Sequence, residues 1–346
     1  MTDESAAPEK LGPDAAPDKD TASYRLPLDE ARDHLMVQVA KMFFSLERTQ
    51  TEIATELGLT RWQVSRLIAE ARETGVVRIQ IVPRGQRMPD LEVELQRAYG
   101  LRDAVVVPGI AGGTDENISM ESVAQAAGQY LASIKPRTPL IGVSWGRTMA
   151  AVAQWLPPNW ADGVHVVQIN GAVALRITMA RTTSVAEDFA RAGRGTVTIL
   201  PAPAIVGSAR TREVLEEDRV LADVQRLIDR AGVLCFSFGA LSRGSVLVSS
   251  GYLDARDIDD LGEKGAVGDI LGRFIDRRGK VVDAGLDART IGLKLDSLKG
   301  RDRVVGVCSG KAKHQVALAA LRAGYVNVLI TDQATARYAI EHVHDR

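Results

Sequence analysis

Two cysteines in 346 residues, an aromatic content of 5% and a net charge of −1 leave little room for several protein classes. Cys235 and Cys308 lie far apart in the apolar runs VLCFSFG and VVGVCSG, so a disulfide framework is excluded and buried, reduced thiols are expected. Neither has metal-ligand spacing. His342 and His344, in EHVH near the C-terminus, lack the further ligands a zinc site needs, so neither a metal nor a cofactor is expected. No stretch reaches the roughly 18 to 20 consecutive apolar residues that span a bilayer, so no membrane partner is expected. The start, MTDESAAPEKLGPDAAPDKDTAS, has no basic head or apolar run of a signal peptide, which points to the cytoplasm.

What is present suits an ordinary globular chain: 45% of residues are apolar and 25% charged. Residues 1–24 are rich in Pro, Ala and acids, cannot repay the entropy of ordering, and read as a disordered tail. Residues 25–84 read as a small helical domain, and residues 85–346 as a larger one. The charge is uneven. Between Arg61 and Arg87 six arginines (61, 66, 72, 78, 84 and 87) face only Glu70 and Glu73, a local basic patch of the kind that meets a polyanion. A solvated helix face is the alternative on charge alone.

The spacing within that patch is more specific. Thr49-Gln50-Thr51-Glu52 and Thr60-Arg61-Trp62-Gln63 are both capping-box patterns, so helices are expected to start near residues 50 and 61. Ile53, Ala54 and Leu57 form the inner face of the first. Gly58 permits a tight turn and Leu59 plugs the corner. In the second, Val64, Leu67, Ile68 and Ala71 face inward, leaving Arg61, Gln63, Ser65, Arg66 and Arg72 outward. Ala54, Gly58 and Val64 are spaced to let two helices cross closely. The upstream run DEARDHLMVQVAKMFFSLE supplies a supporting helix with Leu35, Val39, Met42, Phe43 and Leu46 on its apolar face. Gly75 ends the second helix, and VVRIQIVPRGQ reads as a strand, the expected wing.

The segment reads as a winged helix-turn-helix, whose second helix is expected to enter a DNA major groove. Thr60, Arg61, Gln63, Ser65 and Arg66 are its candidate contacts, arginine matching guanine and glutamine adenine. Trp62 either packs on the sugar-phosphate backbone or covers the core, and covering the core is the expectation. A helix pair used for protein docking is the competing reading.

Beyond residue 88 apolar runs alternate with amphipathic helices: DAVVVPG, PLIGVSW, VHVVQIN, GTVTILPA, VLCFSFGAL, RVVGVCSG and VNVLITD, with MESVAQAAGQYLASI, EVLEEDRVLADVQRLIDRAG and HQVALAALRAG among the helices. Strands that are apolar throughout imply an α/β domain with a mainly parallel sheet covered on both faces. Ligands of such sheets collect beyond the carboxyl ends of the strands. After PLIGV stand Ser144, Trp145, Gly146, Arg147 and Thr148 at the start of a helix, where close backbone approach and unpaired amides can hold a phosphate; a merely structural turn is the alternative. VVQIN ends at Asn170. VVGVCSG leads to Lys311 and Lys313, either solvated cations, phosphate ligands or, for a lysine so placed, a Schiff-base former. In GAVGDILGRFID, Asp269 stands between glycines and an apolar helix, either as a helix cap or as an acceptor for a sugar hydroxyl.

Together SRLIAEARETGVVRIQI, IGVSWGRTMAAVA, GAVGDILGRFID, TIGLKLDSL and ALRAGYVNVLITDQATA resemble, in order and over about residues 30–340, the SorC/DeoR-type family of bacterial sugar-responsive transcriptional regulators. The resemblance implies an N-terminal helix-turn-helix joined to an effector domain like the sugar-phosphate isomerase and CoA-transferase fold, assembled as a homodimer or homotetramer. It implies double-stranded operator DNA and a phosphorylated sugar as partners. It makes SWGRT (Gly146, Arg147, Thr148) the phosphate loop, puts Arg181 on the adjoining helix, and completes the pocket with Asn170, Asp269 and Lys313. Two departures bear on which effector fits: Ser309-Gly310 where relatives often show two glycines, and Arg147 at a position that can be small or hydroxylic. The rival is a sugar-phosphate isomerase or lyase carrying a helix-turn-helix, with Asp269 as base and His314 as the nearest acid.

Overall fold

The structure is a computed structural model, and it describes residues 27–77, 87–109, 116–134, 140–172 and 184–344. The expected N-terminal tail, the wing over residues 78–86 with Arg78 and Arg84, and Arg181 lie outside the described residues. The chain divides into two compact units, Met1–Val82 and Pro83–Arg346.

In the first unit α1 spans Pro27–Phe44, α2 Gln50–Leu57 and α3 Arg61–Glu73. Both capping boxes form. Thr49 Oγ1 accepts from the Glu52 amide while Glu52 accepts from the Thr49 amide, and Thr60 and Gln63 do the same, so each helix begins where its own sequence satisfies the orphan amides. Gly58, at φ 65°, closes α2 in the left-handed conformation, and its N–H and that of Leu59 both reach Ala54 O. Met36, Val39, Met42, Ile53, Ala54, Val64, Leu67, Ile68 and Ala71 form one shared core.

Two apolar side chains differ from expectation. Leu46 is 58% exposed, because α1 stops at Phe44 and Leu46 stands beyond its last turn. Trp62 is 68% exposed, because its place in the first turn of α3 points away from the face that carries Val64 and Leu67. Arg87 leaves the basic patch as well: it belongs to the second unit, where it pairs with buried Glu92 and donates to Ala104 O.

The second unit holds β1 (Asp103–Val107), β2 (Leu140–Val143), β3 (His165–Gln168), β4 (Thr196–Thr198), β5 (Val233–Ala240), β6 (Gly268–Ile270), β7 (Arg273–Ile275), β8 (Arg303–Cys308) and β9 (Val328–Asp332). Seven strands run in the order β1-β9-β8-β5-β2-β3-β4, every pair parallel. Its helices are α4 (Pro89–Tyr99), α5 (Glu116–Ser133), α6 (Arg147–Trp155), α7 (Val185–Ala192), α8 (Ala209–Glu217), α9 (Arg219–Arg230), α10 (Val246–Ser249), α11 (Ala255–Glu263), α12 (Ala284–Asp287), α13 (His314–Arg322) and α14 (Gln333–Glu341).

Alternation along each strand divides the interior into two cores. Val105, Val107, Cys235, Val305, Val307, Val328 and Ile330 pack against α5, α6 and α7; Ala104, Val106, Leu234, Phe236, Val304 and Leu329 pack on the opposite face against α4, α9, α13 and α14. Both cysteines are free and buried, and burial pushes each thiol up to about 12, so both are inert.

Two local expectations change. EVLEEDRVLADVQRLIDRAG is two helices, since Asp218 breaks the run and caps α9 through the Val220 amide at 2.8 Å. GAVGDILGRFID is no helix entry but the hairpin β6–β7, paired antiparallel with the end of β5. Gly268 at φ 153° opens β6, Gly272 at φ 82° sits in the Leu271-Gly272 turn, and the residues from Gly268 to Ile270 pair with a distant strand instead of coiling on themselves.

Candidate functional site

Two groups of side chains answer to the sequence reading, one in each unit. On α3, Arg61, Gln63, Ser65, Arg66 and Arg72 are all exposed. Thr60 and Gln63 are nevertheless engaged: Gln63 Oε1 accepts from the Thr60 amide at 2.8 Å and from Thr60 Oγ1 at 3.1 Å. A glutamine reads adenine with its oxygen and nitrogen together, so this cap competes with that role. Arg66 lies with its guanidinium 5.5 Å from the Trp62 ring centre, and Arg72 lies 5.4 Å from that of Phe44. Arg32 and Glu70 form an ion pair at 2.7 Å that ties α1 to α3.

In the second unit, strand order reverses between β2 and β5: β3 and β4 follow on one side, β8, β9 and β1 lie on the other. Connections diverge at such a point and leave a crevice at the carboxyl ends. A cavity of about 310 Å³ opens there, lined from Ser144 to Thr148 after β2, by Asn170 after β3, by Ser237, Phe238 and Gly239 on β5, by Asp269 and Gly272 on the hairpin, and by Ser309 and Lys313 after β8. It brings together six of the seven residues expected of an effector pocket, Gly146, Arg147, Thr148, Asn170, Asp269 and Lys313; Arg181 lies outside the described residues.

Several of them are held by named neighbours. Gly146 caps α6 at φ 132° with no side-chain cap, leaving the first-turn amides at the cavity wall. Trp145 Nε1 donates to Gly171 O at 2.6 Å, fastening this loop to the one after β3. Lys313 Nζ donates to Thr148 Oγ1 and to Ser237 Oγ, both at 3.0 Å. Its approach is set by Asp332, which accepts from the Gly310 and Thr335 amides and from Ser119 Oγ. Asn170 is 3% exposed, and its Oδ1 is buried without a hydrogen-bond partner. Such an atom costs about 1–3 kcal/mol unless something satisfies it.

Asp269 is buried opposite Lys313. Burial raises its carboxyl to about 6 from an ordinary 3.8, against the opposing pull of the Gly272 N–H bond (2.9 Å) and the Lys313 charge. Register places Gly239 against Asp269, where a Cβ would stand 1.8 Å from Asp269 Oδ1, so the carboxylate takes the space that glycine leaves. Behind the site Arg273, 2% exposed, donates to the carbonyls of Thr290, Gly292 and Leu293 and pairs with Asp287, bracing the bridge between Asn170 and Gly292.

Ser237, Gly239 and Trp145 were not singled out as ligand residues from sequence. VLCFSFGAL is one of the apolar strand runs, and Ser237 and Gly239 stand toward its carboxyl end, where sheet ligands collect. His314, the nearest candidate acid, does not line the cavity. Its ring lies tilted by 31° against Tyr338, ring centres 4.9 Å apart, and burial lowers its pKa.

The arrangement offers one cationic corner beside uncapped helix amides and, across it, a carboxylate and an amide oxygen. It is chemistry for recognising a small polar molecule, on a fold that in turn defines a class: a sugar-binding regulator domain behind a helix-turn-helix. Residues 84–341 match the family model described as "Putative sugar-binding domain". The deoxyribonucleoside regulator of Bacillus subtilis is 30% identical over 314 residues, 90% of this chain and 98% of that protein. The transcriptional regulator LsrR of Klebsiella pneumoniae is 32% identical over 312 residues, 89% and 93% respectively. Among solved structures, the full-length sorbitol operon regulator SorC from Klebsiella pneumoniae shares the fold (TM-score 0.64, 24% identity, 89% of this chain and 98% of that one). A domain of a possible sugar-binding transcriptional regulator from Arthrobacter aurescens is 28% identical, with TM-score 0.63 over 75% of this chain and all of the other. The chain belongs to the SorC/DeoR-type family of transcriptional regulators with a sugar-binding domain, and its relatives are regulators, not enzymes.

Proposed function

We propose that this regulator binds double-stranded operator DNA in a sequence-specific manner through residues 25–84, with Thr60, Arg61, Gln63, Ser65 and Arg66 at the interface. A phosphorylated sugar, held by residues 85–346, controls that binding. The observation that carries the proposal is the cavity in which Lys313 Nζ meets Thr148 beside the uncapped start of α6, with buried Asp269 and the unpartnered Asn170 Oδ1 across it. A phosphate suits the cation, Arg147 and the helix amides; sugar hydroxyls suit the carboxylate and the amide oxygen. Arg181 is assigned to the same pocket on the family resemblance. The names of its relatives, a deoxyribonucleoside regulator and a sorbitol operon regulator, agree with a small sugar effector. Because one helix-turn-helix reads few base pairs, a homodimer or homotetramer on a two-fold site completes the proposal.

The test is operator affinity with and without a saturating sugar phosphate, for wild type and for Lys313→Ala. Coupling between the sites is expected to be about 1–3 kcal/mol. The variant keeps ligand-free operator binding and loses the response. An undiminished response removes Lys313 from the pocket. The unphosphorylated sugar is expected to leave thermal stability unchanged, whereas the phosphate at 100 times its Kd stabilises by about 2.7 kcal/mol.

A further inference from the structure

Among the described residues of the first unit Trp62 is the largest exposed apolar side chain, and neither the core nor the cap of α3 uses it. At about 100° per residue, Arg61, Trp62, Ser65, Arg66 and Ala69 share one outward arc of α3. Trp62 lies near its middle, and Gln63 falls on its rim, turned back into the cap. Arg61, Arg66 and Arg72 are exposed along the arc against one exposed acid, Glu73, so it is net basic, complementary to a nucleic-acid backbone and not to an apolar protein groove. The Arg66 guanidinium lies over the indole at 5.5 Å. A guanidinium stacked by its face keeps its in-plane N–H groups available, and that edge is what bonds O6 and N7 of guanine.

Resting on the DNA-binding reading above, we infer that Trp62 determines operator specificity: its indole holds the Arg66 guanidinium edge-on to the major groove and packs its remaining apolar surface on a thymine methyl of a neighbouring base pair. Trp62 is thus a positioning residue for Arg66 and a direct apolar contact in its own right. The pairing of a guanidinium edge with an adjacent indole favours a guanine next to a thymine, since the two groups stand one helical turn apart on the same arc. Gln63 is relieved of base reading and kept for the cap.

The test uses the full-length protein and a duplex that the wild type selects from a random library, with binding followed by fluorescence anisotropy. Trp62→Ala is expected to weaken the selected duplex by at least about two- to fivefold, the part owed to the exposed cation–π pair. Binding to random duplex and the dependence on salt stay as they were, because indole neutralises no phosphate. Replacing thymine by uracil, which removes only the methyl, weakens wild type at one position or more and leaves Trp62→Ala indifferent there. Trp62→Phe retains part of both effects. Losses from Trp62→Ala and Arg66→Ala are less than additive at the guanine position.

Equal loss on selected and random duplex overturns the inference, as does a uracil scan in which wild type and Trp62→Ala respond alike. Unchanged operator binding by Trp62→Ala also overturns it, and leaves the indole for protein docking. If the wild type selects no duplex at all, the DNA-binding reading fails first, and this inference falls with it. Because Trp62 is exposed, equal melting temperatures of the variants confirm that folding does not account for the losses.

Discussion

Asp269→Asn separates what the Asp269 carboxylate costs the fold from what it contributes to the proposed effector site. The Asp269 carboxyl is raised to about 6, chiefly by burial, with the Gly272 amide and Lys313 pulling the other way. In the unfolded chain it titrates near its ordinary 3.8. The folded state therefore binds this proton more tightly. The stability gained by protonation is fully present below about pH 4 and is lost as pH rises through about 6. A displacement of about 2 pH units, at about 1.4 kcal/mol each, makes the ionised carboxylate cost about 3 kcal/mol at pH 8. Asparagine has the same shape, carries no charge, and can still accept the Gly272 N–H.

The variant is thus expected to be more stable than wild type by about 3 kcal/mol at pH 8, the difference shrinking to a pH-independent remainder near pH 4. Urea unfolding between pH 4 and 8, followed by tryptophan fluorescence, measures this, since Trp145, Trp155 and Trp160 of the four tryptophans lie in the second unit. The same variant is expected to lose sugar-phosphate binding, because the amide presents a donor where a sugar hydroxyl needs an acceptor. A stability difference that stays constant from pH 4 to 8 refutes the reasoning: the carboxylate would then be as well solvated as in the unfolded chain.

Gly239→Ala puts a Cβ 1.8 Å from Asp269 Oδ1, so the carboxylate must leave its place; the unfolding free energy from urea titration is expected to fall by about 1–3 kcal/mol, with ligand response lost. Full ligand response in this variant would show that the position of Asp269 does not matter. Thr60→Ala removes the α3 cap and is expected to cost about 1 kcal/mol in the first unit, read from its thermal unfolding by circular dichroism, whereas Thr60→Ser is nearly silent. Sedimentation at concentrations that saturate operator DNA is expected to give a dimer or tetramer, and a monomer there refutes the two-fold site.

What the sequence determined by itself was whatever a few neighbouring residues settle among themselves. Thr49 with Glu52 and Thr60 with Gln63 satisfy their own helix starts, Gly58 turns α2 within one residue, and uniformly apolar runs become buried parallel strands wherever helices separate them. The loop from Ser144 to Thr148 and the approach to Lys313 were readable for the same reason, since each follows directly on a strand. Tertiary structure decided the rest. Asp269 was recognised as a candidate but misplaced at a helix, because its hairpin is held by pairing with β5, about thirty residues earlier, and periodicity cannot see a partner that distant. Ser237 and Gly239 reach the cavity only because the strand order sets β5 beside β2 and β8. An amphipathic indole is compatible with either side of a helix, and Trp62 points outward because Val64 and Leu67 had already claimed the inward face of α3.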